Sequence, residues 1–340
     1  MNVIKYIIVI LLSFFILKIS VAGEITKKGT TAAQFLKIGI GARASAMGES
    51  HVADVNDVSA IFWNPAGMAR ISNNELMLIR TNWLADIKYD FAGIVVPMQN
   101  LGTFGLFYAG LTMGDMIVRT EYEPEGTGEL FSASSIAMGI SYARNMTERF
   151  AFGVTAKYVH EQIWHETAST VAFDLGITYQ TTLPRLRLGM AISNYGGKMR
   201  MDGKDLLTFK DVDPNLKGNN ENIIAKLNTE KFDLPISFRV GFAYDVIKSD
   251  FHTVIFSIDG VSPNDFNEYL NIGAEYGLRK SVFLRAGYKG IGVQDFEGGL
   301  SLGGGIHYKI HGAFNLILDY AYVDYGRLNN VQRFSIAIDF

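Results

Sequence analysis

The sequence predicts an all-β protein: a fourteen-stranded antiparallel barrel that crosses a membrane, with its lumen stoppered by the segment ahead of the first strand. Three observations carry this expectation. The chain finishes Arg333-Phe334-Ser335-Ile336-Ala337-Ile338-Asp339-Phe340, alternating apolar with other residues and closing on an aromatic. Such a strand faces lipid at every second position, here Phe334, Ile336, Ile338 and Phe340, and pairs back onto the first strand. Next, 48% of the residues are apolar, yet beyond the first 22 no apolar run approaches the ~20 residues of a spanning helix. Finally, runs with period-two alternation recur along the chain between turn signals.

Residues 1–22 read as an export signal. Lys5 is the basic start, Tyr6 to Leu17 the apolar core, and Ser20-Val21-Ala22 supplies small residues for cleavage near Ala22. The apolar run is too short for a retained anchor, and Lys18 interrupts its end. Cleavage removes Lys5 and Lys18, leaving 29 of the 31 basic residues against 34 acidic ones, a net charge of −5. That balance offers nucleic acid no footing. With no cysteine, neither disulfides nor thiol chemistry are open to the chain.

Residues 23–74 are not strand-like. They carry Gly39-Ile40-Gly41-Ala42-Arg43-Ala44-Ser45-Ala46-Met47-Gly48 and, further on, Asp54-Val55-Asn56-Asp57-Val58-Ser59-Ala60-Ile61-Phe62-Trp63-Asn64-Pro65-Ala66-Gly67-Met68. Eight-stranded barrels fill with side chains and sixteen-stranded ones leave a channel, so fourteen strands need a stopper. This segment is the only spare material. A tight turn is expected at Asn64-Pro65, and a close backbone approach at Gly67.

The barrel itself is expected over residues 75–340. Strands are read near 75–83, 90–97, 102–112, 131–144, 150–160, 169–181, 185–194, 235–246, 250–260, 268–277, 281–289, 297–310, 312–322 and 331–340. In one of them Phe238, Val240, Phe242 and Tyr244 share a face, and Ser237, Arg239, Gly241, Ala243 and Asp245 the other. Pro97, Pro124, Pro184, Pro214, Pro235 and Pro263 all fall at expected turns or loops, as a fully paired sheet requires. Short and long connections alternate, the long ones at 84–89, 113–130, 161–168, 195–234, 261–267, 290–296 and 323–330. A soluble sandwich or propeller would leave charges outside. Here Lys157, Arg187, Arg239, Asp245, Asp259, Glu275, Arg285 and Asp319 sit on the small, glycine-rich second face, which suits opposite charges paired across a narrow lumen.

The order small-Arg-small-Ala-Met-Gly, Asp-Val-Ser-Ala and aromatic-Trp-Asn-Pro-Ala-Gly resembles the N-terminal signature of FadL-type outer-membrane barrels. It comprises Gly41, Arg43, Met47, Gly48, Asp57, Trp63, Asn64, Pro65, Ala66 and Gly67. Phe35-Leu36-Lys37-Ile38-Gly39 followed by Gly41-Ala42-Arg43 is most similar to the PorV/PorQ family. The resemblance implies a plugged fourteen-stranded barrel in the outer membrane. It also implies a part in type IX secretion, with the translocon, the attachment complex and exported cargo proteins as partners met through outer loops. The FadL-type alternative is uptake of hydrophobic molecules such as fatty acids. In that case Phe62, Trp63 and Met68 would border an apolar pocket, and strand kinks would come cheapest at Gly102 to Gly110 and Gly298 to Gly305.

Other clusters favour bland readings. Gly39-Ile40-Gly41 lacks the third glycine and βαβ frame of a dinucleotide loop. The acidic stretch Glu123 to Glu129 fits no calcium-loop spacing. His160, Glu161, His165 and Glu166 read as chance polar composition of an outer loop rather than a metal site, and so do His307 and His311 at a turn. No nucleophile elbow is present, so no catalysis, cofactor or metal is expected. The forty-residue connection 195–234 is the outstanding variable feature. It carries Leu206, Leu207, Phe209, Leu216, Ile223, Ile224 and Leu227, with a short amphipathic helical turn expected over 222–228. It is either a lid packed on the barrel mouth or a partner-docking surface.

Overall fold

Each strand of the barrel pairs with the next in sequence, and the last returns to the first. The computed structural model describes residues 27–211, 222–294, 296–310 and 314–340; the expected signal segment lies outside them. The strands are β1 (Glu75–Asn82), β2 (Lys88–Met98), β3 (Gly102–Thr112), β4 (Ala133–Asn145), β5 (Phe150–Ile163), β6 (Glu166–Gln180) and β7 (Leu186–Gly196). The second half comprises β8 (Ser237–Lys248), β9 (His252–Pro263), β10 (Tyr269–Leu278), β11 (Val282–Ile291), β12 (Leu300–Ile310), β13 (Phe314–Asp324) and β14 (Asn330–Asp339). All fourteen expected strands are present in one closed antiparallel ring. Closure runs from Glu75↔Asp339 to Asn82↔Gln332. Just beyond it, Asn74 and Phe340 exchange backbone hydrogen bonds of 3.1 and 2.8 Å. A closed ring leaves no unpaired edge to lipid.

Side-chain alternation sorts the chemistry by face. Outward positions are apolar and exposed, as at Ile140 (62%) and Leu284 (61%). Phe334, Ile336 and Phe340 of the terminal segment are also exposed, and Ile338 is half-buried. Inward positions bury charge in opposite pairs: Lys157–Asp174 at 2.8 Å, Arg187–Asp245 at 2.6 Å, and Arg285 with both Glu275 and Asp319 at 2.6 Å. Pairing of this kind offsets part of the cost of taking each charge out of water.

Residues 38–71 pack against inward-facing wall positions: the Ala42 N–H donates to Ser335 Oγ at 2.8 Å, Ser50 meets Ser257 at 2.8 Å, and Asn64 Nδ2 donates to the Ile177 carbonyl at 3.0 Å. Residues 34–70 form two short helices, α1 (Ala42–Ala46) and α2 (Ala60–Trp63), and 3-10 turns at Gln34–Lys37 and Pro65–Arg70. The hydrophobic core forms where this segment meets the wall: Ile61, Trp63 and Met68 pack in one cluster with Met77, Phe91 and Val95 of β1 and β2. Each such side chain contributes about 1.5–3 kcal/mol on burial. Lumenal glycines admit the backbone closely. A Cβ on Gly48 (φ 64°) would lie 2.6 Å from the Tyr288 nitrogen, and Gly287 of β11 faces the Gly48 backbone in return.

Several expectations are corrected. The connection expected at 161–168 is a two-residue turn, Trp164-His165, because β5 and β6 continue their pairing to Ile163↔Glu166. Ile223–Lys226 is a strand paired with Leu207–Lys210, not a helical turn; its β-branched pair Ile223-Ile224 favours a pleated partner. Gly102 to Gly110 runs unkinked through β3. The register shifts fall instead at Phe173/Leu175, Asp245/Ile247 and Leu270/Ile272. Pro97 and Pro263 lie at the ends of β2 and β9 rather than in connections.

Candidate functional site

The ten signature residues of the inner segment hold it to itself and to the wall. Gly41 (φ 84°) opens α1, whose Ser45 hydroxyl donates back to the Gly41 carbonyl at 2.7 Å. Alanines at 42, 44 and 46 keep this helix slim enough to lie against the wall; Ala42 and Ala46 pack on Ala321 of β13. Arg43 projects toward the short-turn end, pairing with Asp54 at 2.8 Å, Asp57 at 3.5 Å and Glu275 of β10 at 2.9 Å. Burial disfavours the Arg43 charge, but these three carboxylates outweigh it and raise its pKa above the ordinary arginine value. Met47 lies against Gly273, and Gly48 against Gly287.

The Trp63 ring is buried, and its Nε1 donates to the Ile40 carbonyl at 2.9 Å. The tight turn expected at Asn64-Pro65 is present: Asn64 is its extended first residue, and the Asn64 carbonyl accepts from the Gly67 N–H at 2.8 Å. The Asn64 side-chain nitrogen donates to the Val52 and Ile177 carbonyls at 2.9 and 3.0 Å, while Oδ1 accepts from the Ala66 N–H at 3.2 Å. It thereby caps the 3-10 turn that Pro65 begins, a position where proline's missing donor is harmless. Pro65 and Ala66 face Gly153 of β5, and Gly67 packs on Val55.

At the long-loop end the inner segment continues as a strap over residues 27–37. Thr31 bridges to Asp233, and the Ala32 N–H donates to the Asp233 carbonyl at 2.9 Å. The buried Asp265 collects Thr31 Oγ1 at 2.7 Å, Gln34 Nε2 at 3.0 Å and Lys37 Nζ at 2.9 Å. Burial pushes the Asp265 carboxyl up, but these donors outweigh it and hold it below its usual range. Beneath the strap is a partly enclosed cavity of about 170 Å³, bordered by Phe62, Lys157, Arg239, Phe266, Tyr269, Lys289 and Phe296 among others. Of the residues expected around an apolar pocket, Phe62 lines it and Trp63 supports it, its ring lying 4.7 Å from the Arg239 guanidinium. Met68 points elsewhere, toward Gly105.

The long connection between β7 and β8 rises at the same end. Its base is clamped: Asp202–Gly203 pairs with the tip of β6, and His165 Nδ1 lies 2.9 Å from Asp205 Oδ2. Above the base, Leu207–Lys210 and Ile223–Lys226 form a hairpin in register Leu207↔Lys226 and Phe209↔Ile224. Directly opposed residues share a face, so Leu207, Phe209 and Ile224 lie on one face beside Lys226, which pairs with Asp202, with Phe209 71% and Ile224 67% exposed. Ile223 and Leu227 are exposed as well, and Leu206 is half-buried. Leu216 lies outside the described residues.

The histidines are not brought together. His160 stacks on Tyr158, whereas His165 stacks on Trp164. His307 borders a charged cleft of about 390 Å³ at the short-turn end, and His311 lies outside the described residues. Glu161 and Glu166 hold other parts of the mouth: Glu161 accepts from the Ala33 N–H at 3.1 Å and Glu166 from the Asp205 N–H at 2.8 Å. Sequence reasoning missed Asp265 and the strap. No local signal pairs Asp265 with Lys37, 228 residues earlier.

A family model for the type IX secretion system protein PorV matches residues 22–259. The chain belongs to the PorV family. Its barrel is that of an outer-membrane protein of the type IX secretion system. Among solved structures this PorV-family chain is similar to the toluene transporter TbuX of Ralstonia pickettii (14% identity, 88% of this chain and 97% of that one, TM-score 0.53). It is also similar to the toluene transporter TodX of Pseudomonas putida (13%, 88% and 97%, TM-score 0.55). A Pseudomonas aeruginosa FadL homologue matches as well (14%, 88% and 97%, TM-score 0.53). At these identities the likeness is one of fold. No curated protein sequence matches the chain. In a barrel of this kind short turns face the periplasm and long loops the outside, so strap, cavity and hairpin form the outer mouth.

Proposed function

We propose that this PorV-family barrel docks exported proteins, or components of the translocon and attachment complex, on its outer loops, after its signal is cleaved near Ala22. The role is one of binding, with no catalytic step or cofactor. The observation that carries this reading is the hairpin of the long connection. Its base is anchored to the β5–β6 tip, yet Leu207, Phe209 and Ile224 present apolar surface to water. An exposed apolar patch on a rigid base is a feature of protein-interaction surfaces. Replacing the three residues with serine should abolish co-purification with secretion partners and surface delivery of exported proteins, while the barrel keeps its heat-modifiable migration. Unchanged delivery would refute the reading.

A second reading, binding of small hydrophobic molecules, draws on the cavity beneath the strap and its ring-bearing border of Phe62, Phe266, Tyr269 and Phe296. Retention of a small apolar molecule through purification, lost on Phe62→Ala, would support it. Against passage right through the barrel stand the buried charge pairs and the inner segment across the lumen.

A further inference from the structure

One cation bordering the cavity beneath the strap has buried donors with no acceptor. Four cationic side chains border the cavity, and three have carboxylate partners: Lys37 with Asp265 at 2.9 Å, Lys157 with Asp174 at 2.8 Å, and Lys289 with Glu49 at 2.6 Å. The fourth, Arg239, has no carboxylate within 4 Å among the described residues, and Asp259 and Glu49 act on it only at longer range. Only 8% of it is exposed, and its Nε and Nη1 are buried without a hydrogen-bond acceptor. The neighbouring Ser237 hydroxyl, also 8% exposed, lacks a partner too. An arginine keeps its charge under all ordinary conditions, and buried donors left unmatched carry a full desolvation penalty. Stacking over Trp63 at 4.7 Å fixes the plane of the guanidinium but accepts none of its in-plane N–H groups.

We propose that this cavity binds a carboxylate carried on an apolar body about the size of one aromatic ring, with Arg239 as its counter-charge and Ser237 as a second donor. The anion follows from the unmatched donors, since a guanidinium matches a carboxylate in both charge and geometry. The body follows from the border of Phe62, Phe266, Tyr269 and Phe296. The size follows from the volume: the cavity measures about 170 Å³, and one of about 150 Å³ holds benzene. The same group has two sources, a free aromatic acid or the C-terminal residue of a peptide with an aromatic side chain. This inference rests on the small-molecule reading only in requiring that the cavity be occupied at all.

The test is calorimetric titration of the purified full-length barrel, in a non-ionic maltoside detergent, with phenylacetate and with its neutral isostere phenylacetamide. Phenylacetate should bind at least tenfold more tightly. Arg239→Gln should erase that difference, Arg239→Lys should retain part of it, and Ser237→Ala should reduce it. Equal affinity for the two compounds would overturn the charge assignment while leaving the small-molecule reading intact. Binding of neither would overturn both. If Arg239→Gln fails to fold, the contrast between acid and amide on the unaltered protein still decides. A difference that survives in folded Arg239→Gln would also overturn the proposal. A tetraglycyl-phenylalanine peptide that displaces phenylacetate only with a free C-terminus identifies a peptide source; failure to displace identifies the free acid.

Discussion

Arg43 donates through Nε to Glu275 Oε2 at 2.9 Å, tying the inner helix α1 to strand β10 of the barrel wall. The same guanidinium reaches Asp54 at 2.8 Å and Asp57 at 3.5 Å within the inner segment, so one side chain links the segment to itself and to its container. The barrel's own ladder does not depend on this junction. Damage there should therefore loosen the stopper before it opens the ring.

Arg43→Ala takes one partner from each of three carboxylates, while Glu275 keeps Arg285, Asp54 keeps Arg187 and Asp57 keeps the Ser59 N–H. Leaving a buried charge with no partner costs about 3–5 kcal/mol; with these second partners in place the loss is smaller, and it falls on docking of the inner segment. Amide exchange over residues 40–57 should accelerate, and the outer membrane should admit solutes it normally excludes, with heat-modifiable migration retained. Glu275→Gln should act in the same direction but more weakly, since Asp54 and Asp57 still hold Arg43.

Gly48→Val should be worse than its size suggests. The position has a φ of 64°, and an added Cβ would lie 2.6 Å from the Tyr288 nitrogen, a backbone atom that cannot turn aside. Strain of this class costs about 1–3 kcal/mol before the clash is counted. Thermal unfolding of the inner segment, followed by exchange at Met47 and Ser50, should shift to lower temperature.

Acid should release the strap. The Asp265 carboxyl is held below its usual range, so its share of the docking energy is present above the unfolded pKa of about 3.9 and lost as pH falls through the lower folded value. Protection of the Ala32 amide should therefore hold at neutral pH and fall in strong acid. Asp265→Asn should weaken that protection already at pH 7 and remove its dependence on acid.

The hairpin substitutions Leu207→Ser and Phe209→Ser should leave barrel stability within about 0.5 kcal/mol, as exposed positions away from special features do. Any effect on partner binding is then an effect on the surface itself. Thermal melts of the purified variants check this directly.

Much of the fold was legible because lipid enforces one rule on every strand. Phe238, Val240 and Phe242 face lipid while Arg239 and Gly241 face the lumen, and the period of two states this without a partner in view. The strand count, the closure and the buried charges follow from that rule. Where strands leave the membrane it lapses. Gln162↔Thr167 continues the β5–β6 ladder with polar residues on both sides, indistinguishable in sequence from a loop. Ile223–Lys226 is only four residues long, too short to separate a period of 2 from 3.6, and its partner Leu207–Lys210 lies beyond an intervening stretch. At the candidate site the signature announced an inner segment but not its contacts. That Arg43 meets Glu275 and that Arg239 Nε and Nη1 meet no acceptor are facts of long-range register.

The docking reading is tested most directly by a photo-crosslinking amino acid placed at Phe209 in living cells, with the lipid-facing Leu284 as control. The account predicts adducts at Phe209, identified by mass spectrometry as exported proteins or type IX secretion components, and none of these at Leu284. An absence of such adducts at Phe209, or the same set at both positions, would contradict it.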